Sequence, residues 1–175
     1  MNSNSEKSET ACVCEFEENL NILRQIDFFS GLPMEAIKVF AYLCHREHFH
    51  PGDYLFQEDD EDGRAYYFIS GNARLVQQVD GNEVVVRDYG EGEFIGRLAL
   101  MGKMRRLFSL RAATDVGCLT LSQEKFTKAL EQFPEQIPKM IRVIVEGIYK
   151  WEKRFIRQRT GDCDDCTRKI GVSLV

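Results

Sequence analysis

The chain has 175 residues, 43% of them hydrophobic, and a formal net charge of −5. That length suits one domain with a core of its own. No apolar run approaches the ~20 residues of a membrane helix, residues 1–10 lack the apolar stretch of a secretory signal, and an acidic chain is a poor candidate for nucleic-acid binding. A soluble, cytoplasmic protein with no membrane partner is therefore expected.

Residues 1–13 are rich in Ser, Asn and Glu and read as a disordered tail. From Glu15, Phe16, Leu20, Leu23 and Ile26 recur at helical spacing. Asp27 to Pro33 is a turn, and a second helix is predicted from Pro33 to Cys44, started by Ser30 or by Pro33 itself. Ala36, Ile37, Phe40, Ala41 and Leu43 give that helix its apolar face. His45 reads as a helix-end residue.

The period then changes to two. Short strands are predicted at 46–50, at 53–57 with Tyr54 and Phe56 on one face, and at 65–69. Strands at 73–79 and 83–89 flank Asp80-Gly81, a strong hairpin signal. Two more follow at 108–113 and 117–122. Seven or eight short strands separated by regular turns predict a sandwich or barrel. Ser122 is a credible N-cap for a helix over 123–132. After Pro134 a long helix is predicted at 135–157. Its Ile137, Ile141, Ile144, Ile148, Trp151 and Phe155 alternate steps of four and three, the seam of helices that pair. A homodimer through this helix is one expectation; packing of the same face on its own barrel is the other. Residues 159–175 form a tail, which leaves 14–158 as the domain.

Three features bear on chemistry. Gly92 to Arg111 holds Arg97, Lys103, Arg105, Arg106 and Arg111 against Glu93 alone, while Glu58 to Asp62 is five acids in a row. A basic island in an acidic protein is either an anion site or a solvated face. Of six cysteines, Cys44 and Cys118 sit in apolar surroundings and read as core. Cys12, Cys14, Cys163 and Cys166 form two close pairs that are either simple exposed thiols or, if the ends meet, ligands for a metal or redox centre. His48-Phe-His50 places two imidazoles on one strand face, but no matching glutamate follows at the right distance, so a metalloenzyme is not expected. No catalytic arrangement is legible, and no cofactor or metal is expected.

The order helix, barrel of short strands, long helix is already restrictive, and motifs narrow it. Phe94-Ile-Gly-Arg-Leu-Ala-Leu100, Arg106-Leu-Phe-Ser109 and Ala112-Ala-Thr-Asp115 resemble the phosphate-binding cassette of the cyclic-nucleotide-binding domain family, the catabolite-activator-like group. Phe28-Phe-Ser-Gly-Leu32, Pro51-Gly-Asp-Tyr-Leu-Phe-Gln57 and Tyr67-Phe-Ile-Ser-Gly71 match further turns and strands of that family. The resemblance implies a mainly β fold with flanking helices, a double-stranded β-helix (jelly-roll) barrel, and a long C-terminal helix. It implies a non-enzymatic regulatory domain that binds cAMP or cGMP.

The site implied by the resemblance comprises Gly96, Arg97, Leu98, Ala99, Arg106, Leu107, Phe108 and Ser109. A glycine at 96 lets backbone approach a ligand, a helix start near Leu98 offers N–H groups to an anion, and an arginine grips phosphate with two parallel bonds. Arg106 aligns with the family's arginine; Arg105 lies beside it, and the choice between them stays open. Ser109 adds a hydroxyl. The cassette is degenerate at one position: the family has glutamate after the cassette glycine, accepting from the ribose 2′-hydroxyl, and this chain has Arg97. Arginine has donors and no acceptor, so a charged hydrogen bond worth roughly 1.5–3 kcal/mol is absent. Leu107 and Phe108 are bulkier than the small residues of the family, and Phe108 points either into the core or into the pocket. Three outcomes follow: weaker binding of cAMP or cGMP, binding of another phosphorylated ligand with Arg97 as a second clamp, or a fold that serves as an interaction module without ligand. The residues after Gln158 carry no recognition-helix pattern, so direct DNA binding is not expected.

Overall fold

The structure is a computed structural model that describes residues 15–159, with side chains through Lys153. The tails at 1–13 and 160–175, Cys12, Cys14, Cys163 and Cys166, and the side chain of Phe155 lie outside the described residues. Two compact units are present, one ending at Pro134 and one beginning at Glu135.

The first unit opens with helix α1 (residues 15–25). A 3₁₀ turn at Asp27–Phe29 and helix α2 (Met34–Leu43) follow. Pro33, not Ser30, occupies the N-cap of α2 and caps it with no side-chain bond. Eight strands come next: β1 (His45–Phe49), β2 (Tyr54–Phe56), β3 (Arg64–Ser70), β4 (Ala73–Val79), β5 (Asn82–Tyr89), β6 (Phe94–Ile95), β7 (Ser109–Ala112) and β8 (Val116–Ser122). Helix α3 (Arg97–Met101) interrupts them between β6 and β7, and α4 (Gln123–Glu131) closes the unit. His45, expected at a helix end, is instead the first residue of β1 and pairs with Thr120. Ser122 caps α4 by accepting from the Lys125 N–H, as its position predicts.

The strands form two four-stranded antiparallel sheets, ordered β1-β8-β3-β6 and β2-β7-β4-β5. The fold is mainly β, a jelly-roll barrel with flanking helices and a C-terminal helix. Leu55, Phe56, Tyr66, Phe68, Leu110, Val116 and Cys118 fill the space between the sheets. Strand β2 departs from simple alternation. Its register against β7 shifts between Tyr54 and Phe56, so Leu55 and Phe56 are both buried while Tyr54 is exposed. A bulge of this kind breaks the period of two that places Tyr54 and Phe56 on one face.

A second aromatic cluster lies in the helical layer. Phe29 stands edge-on to Phe28 with ring centroids 5.0 Å apart, and Phe40 stacks on Phe126 at 5.4 Å. Phe94 of β6 joins this layer, 5.8 Å from Phe28 and 5.9 Å from Phe29. Its neighbour Ile95 faces the barrel core. Two adjacent residues of one short strand thus pin it to both cores, and the segment that follows starts from a fixed point.

A 3₁₀ turn, Pro134–Gln136, spans the boundary between the units, and the second unit continues as helix α5 (Ile137–Arg159). Along α5, Ile137, Ile141, Val145, Tyr149 and Trp151 are exposed. Among the described residues no helix is long and apolar enough to cross a membrane.

Candidate functional site

Gly96 follows Ile95 with φ +81 and ψ 13, a left-handed conformation, and is the N-cap of α3. A Cβ here would lie 2.5 Å from the Arg64 carbonyl oxygen, 3.0 Å from Ala65 Cα and 3.3 Å from Arg106 Nη1. Only glycine satisfies both the dihedral and the space. The turn is therefore open to backbone on one side and to a guanidinium on the other. Helix α3 is a single turn with the Ala99 N–H bonded back to Gly96 O at 2.9 Å, and a guanidinium stands beside the turn.

That guanidinium belongs to Arg106, the one of the two adjacent arginines that turns inward beside Gly96. Arg105 is exposed and pairs with Glu61 at 3.0 Å, whereas the Arg106 side chain is 10% exposed. Arg106 Nε donates to Asp62 Oδ1 at 2.8 Å and Nη2 donates to Asp62 Oδ2 at 2.9 Å. Nη2 also donates to the Arg64 carbonyl at 2.5 Å. The Phe56 ring lies under the cation, 4.1 Å from its central carbon. Two parallel bonds to a carboxylate are the strongest geometry available to an arginine. Here the protein itself fills that fork, so the two-bond grip expected on a phosphate is replaced by an internal one. Nη1 has no protein partner among the described residues and is the nitrogen nearest Gly96.

Tyr66 completes the arrangement. Its hydroxyl lies 2.9 Å from Asp62 Oδ2 and 3.0 Å from the Leu55 carbonyl, with a proton to donate to either. Burial, reinforced by the Asp62 carboxylate, pushes the phenol far above its ordinary range, so Tyr66 stays a donor at any ordinary pH.

The other expected residues are arranged around this core. Ser109 Oγ accepts the Glu58 N–H at 2.9 Å. Leu107 is 71% exposed and Leu98 43% exposed, while Ala99 is buried. Phe108 is half-buried. The Arg97 central carbon lies 6.0 Å from the Phe94 ring centroid. Phe94 belongs to the helical layer, so Arg97 leans toward that side.

Three of the five cations of the basic island are paired with carboxylates. Arg105 meets Glu61, Arg106 meets Asp62, and Arg111 meets Glu83 at 2.6 Å. The β2–β3 loop is laced to the segment before β7 by main-chain bonds as well, Asp59 N to Arg106 O and Arg106 N to Asp60 O, each 2.9 Å. Sequence reasoning missed Asp62 as a site residue. Its only signal is its place in an acidic run, and five neighbouring acids do not say which one turns inward. Of the paired histidines, His50 lies 3.6 Å from Asp53, and among the described residues no group of three His, Cys, Asp or Glu is placed to hold a metal ion.

Residues 46–133 match the family described as the cyclic nucleotide-binding domain. The N-terminal domain of a transcriptional regulator from Streptomyces coelicolor A3(2) is similar at a TM-score of 0.68 and 26% identity, covering 80% of this chain and 99% of that one. A cAMP-dependent protein kinase regulatory subunit of Hypocrea atroviridis is 33% identical over 111 residues, 63% of this chain and 23% of that protein. Lysophospholipase nte1 of Aspergillus fumigatus is 25% identical over 131 residues, 71% of this chain and 9% of that protein. The chain thus spans less than a quarter of the length of these two curated relatives. The matched span covers half of the chain and the jelly-roll topology agrees with it, and the chain belongs to the cyclic-nucleotide-binding domain family.

Proposed function

We propose that this domain is a non-catalytic regulatory module that binds a cyclic nucleotide, cAMP or cGMP, with Arg106 on the cyclic phosphate. One observation carries the reading: Arg106 is held in plane by Asp62 and from below by Phe56, with Nη1 turned toward the left-handed turn at Gly96 and offering two N–H donors to no protein partner. A cation already fixed in place binds an anion without the entropy of ordering a long side chain. The Hypocrea atroviridis relative is named as cAMP-dependent, which supports the same ligand class. Calorimetric titration with cAMP and with cGMP tests it. Saturable heat with a thermal shift is expected, while silence in both at millimolar ligand overturns it.

A second reading is an interaction module of this fold that takes no ligand. The filled fork of Arg106 and the exposed Leu107 favour it. The same titration decides between the two.

A further inference from the structure

We propose that helix α5 docks on an anionic membrane surface, its exposed apolar stripe among the acyl chains and its basic flank on the lipid headgroups. The nucleotide site plays no part in this. Charge is the first observation. Residues 137–159 carry seven Lys and Arg against Glu146 and Glu152 alone, in a chain whose net charge is −5. One strongly positive helix in an acidic chain concentrates the attraction for an anionic surface in that element. Among the described residues no helix is long and apolar enough to cross a membrane. A helix with a basic face and an apolar face lies in the interface plane instead, so it needs none of the long apolar run whose lack argued against a membrane partner.

The placement of the charges is the second observation. Ile137, Ile141, Val145 and Tyr149 are exposed and follow one another at steps of four, so they form one stripe along the helix. Arg142 precedes Val145 by three residues and Lys153 follows Tyr149 by four, so both cations border that stripe. Both are exposed. Long basic side chains in such positions lay their stems on apolar surface and hold their heads at phosphate depth. Trp151 is exposed as well, and Trp and Tyr rings settle at the headgroup level. The third observation is that α5 offers one side only. Met140 and Glu152 are buried, and Ile144 and Ile148 are half-buried. A flat surface needs one side of a helix, whereas a protein that wraps a basic helix needs it all round. Nucleic acid would use the cations and leave the stripe wet; a second copy would use the stripe and leave the cations idle. A bilayer with anionic headgroups uses both.

Trp151 is the single tryptophan of the chain, so intrinsic fluorescence reads this helix directly. The full chain is titrated with vesicles of phosphatidylcholine alone and with vesicles holding an equal amount of phosphatidylserine. The mixed vesicles should shift the Trp151 emission to the blue and carry the chain down on sedimentation, with partitioning roughly tenfold or more above that for phosphatidylcholine alone. Arg142→Gln with Lys153→Gln, its helix content checked by circular dichroism, should weaken that partitioning by roughly tenfold or more, since each cation near an anionic surface is worth about fivefold. Equal partitioning to the two vesicles, an unmoved emission with both, or an unchanged affinity in the folded variant overturns the proposal. So does a blue shift seen only with a soluble acidic helix-binding protein, or only on raising the concentration of the chain itself. The comparison of the two vesicles requires no variant to fold.

Discussion

Arg106 and Asp62 carry more of the site than any other pair, and their energetics follow from burial. Their side chains are 10% and 17% exposed, so the pair has left most of its water behind. Removing one partner of such a pair strands the other, at a cost of roughly 3–5 kcal/mol for full burial. Asp62→Asn should therefore lower the urea midpoint clearly and, by freeing Arg106 to turn, weaken cAMP binding; equilibrium unfolding and titration measure the two effects separately. Arg106→Lys keeps the charge but loses the planar fork and the stack on Phe56. Binding should fall by at least tenfold, a change of about 1.4 kcal/mol, with a smaller loss of stability than Asp62→Asn. Unchanged affinity in Arg106→Lys would remove Arg106 from the ligand's contacts.

At the scale of elements, the β6–Gly96–α3 connection is set by packing on both sides. Phe94 holds the helical layer, Ile95 holds the barrel, and Gly96 turns the chain where a Cβ would strike the Arg64 carbonyl. Gly96→Ala combines a left-handed dihedral with a backbone clash, strain of about 1–3 kcal/mol that is relieved only by moving α3. Loss of ligand binding with a modest fall in melting temperature is expected; calorimetry and thermal unfolding check it. The apolar side chains of α5 form a different kind of element. Ile137, Ile141 and Trp151 of the four-and-three seam are exposed, Ile144 and Ile148 are half-buried, and Val145 and Tyr149 stand exposed beside them; pairing of two copies through this seam is the proposal to test. Analytical ultracentrifugation should show a concentration-dependent dimer that Ile141→Asp together with Val145→Asp abolishes. A monomer at every concentration tested would remove that assembly.

Across the whole molecule, stability has an alkaline limit. Burial pushes the Cys44 and Cys118 thiols up from 9.0 to about 12. Burial also raises Tyr66, from 10.0. In the unfolded chain these groups ionise at their ordinary values, whereas in the fold they keep their protons. Above about pH 9 the unfolded state holds fewer protons, and stability falls as pH rises. Below that pH all three are protonated in both states and contribute no slope. Urea unfolding between pH 8 and pH 11 should show this decline, and Cys44→Ala with Cys118→Ala should make it shallower. The same burial keeps both thiols unreactive in the native state, so alkylation at pH 8 should wait on unfolding.

Much of the architecture was legible from local pattern. The change of period after α2, the Asp80-Gly81 hairpin, the Ser122 cap and the burial of Cys44 and Cys118 depend on neighbours a few residues away, and these appear in the structure as read. Strand ends moved by at most one residue, the two-residue β6 was not read as a strand, and β2 lost its alternation, because a bulge is decided by the partner strand and not by the strand itself. The candidate site was legible in outline, as a glycine turn and an arginine pair, but not in its chemistry.

The sequence by itself determined a sandwich or barrel of short strands, since alternation and turn residues are written along the chain, and the order of its motifs carries the resemblance that implies the jelly roll. Only the tertiary structure decided which arginine turns inward, that Asp62 fills its fork, and that Glu61 of the same acidic run meets Arg105. Asp62 and Arg106 stand 44 positions apart. Which charges meet across such a gap depends on where two loops are set down by the strands that carry them, and no local pattern encodes that.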